Sequence, residues 1–261
     1  MIHPDGARLA AMTAVNNLAL TNYGHFTTMR VQDGAVRGLG LHLDRLVTDC
    51  ATVFGAELSA RYVRERIRAA IADADGPLTV RVTVADPGLR LTHPAAPTDP
   101  HVLVTTRAAT PQGQPPMRVR STTYARDVPS VKHTGLFGPL FERRRAQLDG
   151  YDDALFTDGG GRVAEGPTWN VGFVDGDTVV WPLADVLPGV TMRLLAAAHD
   201  GPQRTEPVEL SRLAGMAAAF ATNAAGAIRP IAAVDGVTFA TGHPIIGLLR
   251  RRYAEIAPEA V

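Results

Sequence analysis

The sequence predicts an α+β protein of two domains, and three observations carry that reading. The 261 residues are 46% hydrophobic and 20% charged, which suits a soluble globular chain with a sizeable core. Apolar residues recur at period two in some stretches and at helical spacing in others, with no internal repeat of fixed period. A composition shift over Ala108–Pro116 (AATPQGQPP) brings the proline, glycine and glutamine of a linker. The boundary falls there, between a small α/β domain at 1–112 and a larger strand-rich domain at 113–261.

Residues 1–17 give no firm element. Phe26–Val31 reads as a strand, Asp33-Gly34 as a turn and Ala35–Leu39 as the partner strand. Leu43, Leu46, Val47, Cys50 and Phe54 recur at helical spacing, predicting a helix over His42–Phe54. Tyr62–Ala72 reads as a second helix with Ser59 as its cap. Leu78–Ala85 and Val102–Thr106 are strands separated by a proline-rich loop. Beyond the linker the pattern predicts strands at 117–123, 153–157, 162–165, 170–174, 178–182, 217–222 and 228–234. Helices are expected at 138–148, 191–198 and 244–256. Gly159-Gly160-Gly161 lies between two strands and reads as a hairpin turn, not a phosphate cradle.

Several function classes lose support at this level. The formal net charge is zero, which removes the simplest electrostatic case for a nucleic-acid or anionic-membrane partner. The basic run Arg143-Arg144-Arg145 reads as a solvated helix face. Cys50 is the only cysteine, so no internal disulfide framework exists and a reducing cytoplasm is the expected compartment. No signal-peptide pattern and no membrane-length apolar run is seen. A P-loop, a dinucleotide fingerprint, a G-x-S-x-G elbow and an H-E-x-x-H site are all missing, so no metal is expected.

One residue stands apart. Of the 26 Lys+Arg, 25 are arginine and one is lysine, Lys132. A guanidinium stays protonated and cannot condense with an aldehyde, whereas an amine can lose its proton and act as a nucleophile. A lone lysine among arginines is therefore a candidate for amine chemistry, although a composition bias toward arginine also leaves one lysine by chance, and the residues around it decide. Four distant segments accompany it: Val131-Lys132-His133-Thr134-Gly135; Val163-Ala164-Glu165-Gly166-Pro167-Thr168-Trp169-Asn170; Leu187-Pro188-Gly189-Val190-Thr191; and Ala221-Thr222-Asn223-Ala224. His42-Leu43-Asp44-Arg45-Leu46 precedes them.

In order and spacing these segments resemble the fold-type IV, pyridoxal-phosphate-dependent enzymes, which include the class IV aminotransferases and the aminodeoxychorismate lyases. The likeness runs from about Tyr23 to about Pro230. It implies a strand-rich pseudo-barrel for the larger domain, pyridoxal 5'-phosphate as cofactor and a homodimer with active sites near the subunit interface. It implies that Lys132 forms the Schiff base and that Glu165, with Asn170 closing its motif, contacts the pyridine nitrogen. Val190 and Thr191, Arg45, and Thr222 with Asn223 would take the phosphate. Taken singly, each is also an ordinary surface, turn or capping residue; the joint pattern around the sole lysine is what points to the cofactor.

The physical requirements agree with that assignment. Such a cofactor needs an amine anchor, an acid at its ring nitrogen and a dianion site. The N-terminus of a helix, with free N–H groups, suits the dianion, and a planar guanidinium adds a permanent charge. Lys132 is expected to have a lowered pKa. The resemblance implies amino transfer between an amino acid and a 2-keto acid. Its alternative is 4-amino-4-deoxychorismate cleavage to 4-aminobenzoate and pyruvate, and a third reading is a non-catalytic member of the family. Tyr23–Val31 (YGHFTTMRV) is similar to the lyase pattern, while Leu136 and Phe137 stand where branched-chain members often carry a tyrosine. Arg30, Arg90 and Arg107 are candidates for the substrate carboxylate, and Trp169 for a pocket wall.

Overall fold

The computed structural model describes residue 13 and residues 15–261. Most of the stretch 1–17 therefore lies outside the described residues, and 15–21 are helical. The chain forms two compact units. One comprises the residues up to Ala109 together with Val131–Gly135 and Pro258–Val261; the other comprises Thr110–Ser130 and Leu136–Ala257. The linker reading puts Lys132 and the end of the chain in the later domain. In the structure both segments pack with the earlier unit.

The first unit is built on an antiparallel sheet of β1 (His25–Val31), β3 (Leu78–Ala85) and β4 (His101–Ala108), in the order β1-β3-β4. Alternation sends Met29, Val31, Val80, Val82, Val84 and Val102 to one face, where they bury against the helices Leu39–Phe54 and Ala60–Ile71. The first helix presents Leu39, Leu43, Leu46, Cys50 and Phe54 at helical spacing and stops at Gly55, whose φ of 63° suits a glycine cap. Ser59 caps the second helix by accepting the Tyr62 N–H at 3.2 Å. The expected hairpin about Asp33-Gly34 closes through one bridge, Gln32 with Ala35, but its second strand is corrected: β2 is only Ala35–Val36 and pairs with β13 (Glu259–Ala260). Gly38 and Leu39 are already drawn into the helix start, which shortens that strand.

The second unit holds an eight-stranded mixed sheet. Its path runs β6 (Asp153–Thr157), β5 (Met117–Thr123), β11 (Ala227–Val234), β10 (Ala218–Asn223), β7 (Asn170–Asp175), β8 (Thr178–Pro182) and β9 (Gln203–Glu206), and β12 (Val237–Thr238) pairs with β11. Met117, Val119, Leu155, Val171, Phe173 and Ile231 fill a core on one face, with Leu213 of the 3₁₀ turn Leu210–Gly215. Val174, Val179, Trp181, Ala218 and Phe220 bury against the helices Val190–Ala198 and Pro244–Glu255. The segment 162–165 does not form the expected strand. It makes isolated bridges, Thr157 with Val163, Arg162 with Glu209 and Glu165 with Asn170, and follows the end of β6 through the backbone bonds Ala164 N–H to Phe156 O and Phe156 N–H to Glu165 O.

The arginine run on helix Phe137–Leu148 is also corrected. Arg143 forks onto Asp153 at 2.9 and 2.8 Å and reaches Thr168 Oγ1 at 2.8 Å, so only Arg144 and Arg145 are exposed. Close packing in the sheet has a checkable cost. A Cβ on Gly172 would sit 2.4 Å from the Phe220 ring. Gly172→Ala should therefore lower the stability of the chain by about 1–3 kcal/mol in urea unfolding, while Gly236→Ala, with open space around it, serves as the control.

Candidate functional site

In the first unit the lysine segment lies along the start of β1. The Phe26 N–H donates to the Lys132 carbonyl at 2.9 Å, the Thr134 N–H donates to the Gly24 carbonyl at 2.8 Å, and His25 and His133 form a bridge. The buried Thr134 hydroxyl donates to the Asn22 carbonyl at 2.8 Å. The Lys132 backbone N–H donates to Asp49 Oδ2 at 3.0 Å. Lys132 is half-buried, and its Nζ lies 4.9 Å from the centre of the Phe26 ring. The Arg81 guanidinium lies 3.6 Å from the same centre.

His42, Arg45 and Asp49 are spaced at i, i+3 and i+7 along Leu39–Phe54 and share a helix face. His42 Nδ1 lies 2.6 Å from the buried Thr27 Oγ1. Burial, then the charges of Arg45 and Lys132, hold the His42 pKa down at about 3, so the ring is neutral at ordinary pH. Burial alone lowers His25 to about 4. Burial pushes the Asp49 carboxyl up, against the Lys132 N–H and the charges of Arg45 and Lys132, which pull it down.

In the second unit Glu165 is buried, with its two carboxylate oxygens engaged separately. Oε1 accepts from Arg126 Nε at 2.5 Å, and Oε2 accepts from Asn170 Nδ2 at 3.4 Å. Arg126 is fixed in turn by the Pro167 carbonyl at 2.8 Å. Asn170 Nδ2 also donates to the Leu187 carbonyl at 2.8 Å. A Cβ on Gly189 would sit 1.9 Å from Asn170 Oδ1, so only glycine lets this loop close against the asparagine.

Gly189 is the N-cap of the Val190–Ala198 helix and supplies no side-chain cap. The N–H groups of Val190, Thr191 and Met192 open that helix, which leaves them without an intrahelical acceptor. Thr191 and Leu195 share a helix face, and Thr222 continues the Ala218–Phe220 row of β10, against which that helix packs. Thr222 is also the cross-strand neighbour of Asn170. Among the described residues, the Thr191 and Thr222 hydroxyls are buried and have no hydrogen-bond partner. Unsatisfied buried hydroxyls are costly and uncommon. Two of them beside free helix N–H groups fit a small oxyanion such as a phosphate monoester.

The remaining candidates are placed less suggestively. The Asn223 side-chain oxygen accepts from Ala225 and Gly226 at 3.0 and 2.7 Å and shapes the β10–β11 turn. Trp169 is packed in the core, its indole N–H donating to Asp153 at 2.8 Å. Arg90 and Arg107 are exposed, and Arg30 is half-buried on β1. Three residues escaped the sequence reading. Asp49 left a trace, an acid spaced at i+4 from Arg45 and i+7 from His42. Arg126 and Arg81 left none among so many arginines. Among the described residues no group of three His, Cys, Asp or Glu is placed to hold a metal, and no helix is long and apolar enough to cross a membrane.

Comparison with known proteins adds a second line of argument. A family model described as amino-transferase class IV matches residues 24–234. Over 128 residues the chain is 32% identical to a Rickettsia felis protein named as a candidate branched-chain-amino-acid aminotransferase. That stretch is 46% of this chain and 44% of the relative, so the chain spans less than half the length of the curated relative it matches. A candidate 4-amino-4-deoxychorismate lyase from Legionella pneumophila superposes with a TM-score of 0.83 at 22% identity, covering 92% of this chain and 93% of that one. The Escherichia coli branched-chain amino acid aminotransferase superposes with a TM-score of 0.82 at 18% identity, covering 92% and 87%. At such identities the likeness of the structures is one of fold.

Two predictions follow from the electrostatics. Arg126→Ala strands a buried carboxylate and should cost about 3–5 kcal/mol in chemical unfolding; Arg126→Ala combined with Glu165→Gln should recover part of that loss. His25 and His42 set a pH dependence. Their folded pKa values, about 3 and about 4, lie below the unfolded value of 6.5, so the unfolded chain binds more protons below pH 6.5. Their contribution is complete above pH 6.5 and is lost as pH falls towards the folded values, on the order of 2 kcal/mol each by pH 5. Unfolding free energies at pH 7 and pH 5 check this, and His42→Gln should flatten the slope.

Proposed function

The chain belongs to the class IV aminotransferase family, and we propose that it is a pyridoxal-phosphate-dependent aminotransferase acting on an amino acid and a 2-keto acid. The observation that carries the reading is the pair of buried, partnerless hydroxyls, Thr191 and Thr222, beside the start of the Val190–Ala198 helix. In this reading the helix N–H groups and the two threonines hold the phosphate, with Arg45 as a further cation. Glu165 holds the ring nitrogen, and Lys132 is the amine that anchors the cofactor. When bound, pyridoxal phosphate withdraws electrons from the substrate carbon next to the amine and so makes its proton removable.

The chain's own residues then have defined tasks. Lys132 Nζ takes the proton from the substrate Cα and returns it, a role open to an amine and closed to a guanidinium. Arg126 and Asn170 hold one Glu165 oxygen each, so the carboxylate presents a fixed edge. Gly189 keeps the phosphate loop closed on Asn170. His42, held neutral by burial, adds no competing charge next to Arg45.

A second reading is favoured by a specific observation. Tyr23–Val31 is similar to the lyase pattern, and the Legionella pneumophila structure bears a lyase name. Offering D- and L-amino acids with a keto acid, and separately aminodeoxychorismate, separates the two. Amino exchange supports the aminotransferase; pyruvate from aminodeoxychorismate with no exchange assigns the lyase. A homodimer and a cytoplasmic location complete the proposal.

Borohydride reduction of the pyridoxal-phosphate-treated chain should attach the cofactor to Lys132, as read by peptide mass, and Lys132→Ala should stay unlabelled. Thr191→Val and Thr222→Val give an opposed pair of effects. Each should weaken cofactor binding about tenfold while raising the stability of the cofactor-free chain by about 1 kcal/mol, because an unsatisfied hydroxyl is removed. Equal losses of stability and affinity would assign both threonines a structural role only.

A further inference from the structure

Asp49 is a buried carboxylate, 3% exposed, with no part in the chemistry described above. Its Oδ2 accepts the backbone N–H of Lys132 at 3.0 Å. A backbone N–H can be satisfied by any carbonyl or hydroxyl, and burying a carboxylate for that purpose alone is costly. The charge itself therefore needs a reason. The titratable groups tied to it are His42 and Arg45 on its own helix and Lys132 on the lysine segment, where His133 bridges to His25 of β1. Glu259 meets the same helix at Gly40, about two and a half turns away. His25 and His42 are kept neutral by burial. The cations that act on Asp49 are Arg45 and Lys132.

We propose that Asp49 is the positioning residue of the reactive amine: its carboxylate fixes the chain at Lys132, and its charge favours the ammonium form of the Lys132 side chain in the cofactor-free protein, a proton that must pass to solvent before the amine can react. The inference rests on the reading of Lys132 as the amine that anchors the cofactor. The lysine segment is short. Its backbone bonds to β1 set its direction, and the Asp49 bond comes from the helix, so the segment is held by two different elements at the residue that carries the amine. Arg45, one turn before Asp49 on the same face, acts in the opposite sense on the amine. Arg81 on β3, whose guanidinium lies over the same Phe26 ring as Lys132 Nζ, acts in the same sense as Arg45, and the balance of these charges sets how readily the proton leaves.

Because the chain has one lysine, ¹⁵N-lysine labelling gives a single Nζ resonance, whose titration can be followed in the cofactor-free protein. Asp49→Asn keeps an acceptor for the backbone N–H and removes the charge. Its Nζ midpoint should fall by about one pH unit, and Asp44→Asn, an exposed carboxylate on the same helix, should leave the midpoint at the wild-type value. An unshifted midpoint in Asp49→Asn overturns the proposal. If that variant does not fold, the intact chain carries the test. The Nζ shift must then show a second inflection where the Asp49 carboxyl titrates, and a single-step curve overturns the proposal equally. Borohydride labelling of the same samples separates the two levels. A shifted midpoint without labelling refutes the cofactor reading and keeps the Asp49 contact; labelling with an unshifted midpoint does the reverse.

Discussion

The Asn170 side chain is the tie on which the second unit's candidate site depends. One amide nitrogen spans Glu165 and the Leu187 carbonyl, and the amide oxygen lies so close to Gly189 that no side chain fits there. Three stretches of chain are thereby set by one residue: the buried carboxylate, the loop before the Val190–Ala198 helix and the first position of β7. Through the strand register, Asn170 also faces Thr222 on β10. Loss of that amide would release the carboxylate, the helix start and the two hydroxyls from one another.

Charge burial follows a consistent rule. Asp153 is met by the Arg143 fork and the Trp169 indole, and Glu165 by Arg126 and Asn170. Asp49 is met by a backbone N–H and by the charges of Arg45 and Lys132. His25 and His42 are treated differently, being driven neutral chiefly by the loss of water. Among the described residues, the Thr191 and Thr222 hydroxyls are two of several buried polar groups with no hydrogen-bond partner. Thr79 Oγ1 and the ring nitrogens of His25 and His199 also lack a partner, and what distinguishes the two threonines is their place: Thr191 opens the glycine-capped helix and Thr222 faces Asn170 across the strands.

Much of this was legible in the sequence because it rests on local pattern. The Leu43–Leu46–Cys50–Phe54 spacing reads as a helix, and Leu78–Ala85 alternates through a strand that lies at the centre of its sheet. The family resemblance rests on motif order, and it singles out Lys132, Glu165, Asn170, Thr191 and Thr222 as candidates. What stayed hidden depends on tertiary placement. β9 is the polar stretch QRTE, which carries no apolar signal and gains strand form only from its partner β8. β13 pairs with a strand more than two hundred residues earlier, which no local rule detects. Arg126 and Arg143 look alike on paper to the exposed Arg144. Only the fold brings the first two to buried carboxylates, and only the fold puts Lys132 with residues from the start of the chain.

A crystal structure of the chain with pyridoxal phosphate tests the central claim most directly. The account predicts phosphate oxygens within hydrogen-bonding distance of both Thr191 and Thr222 Oγ1 and of the Val190 and Thr191 amides, with density continuous to Lys132 Nζ. Phosphate bound elsewhere, with both threonine hydroxyls still lacking a partner, would contradict it.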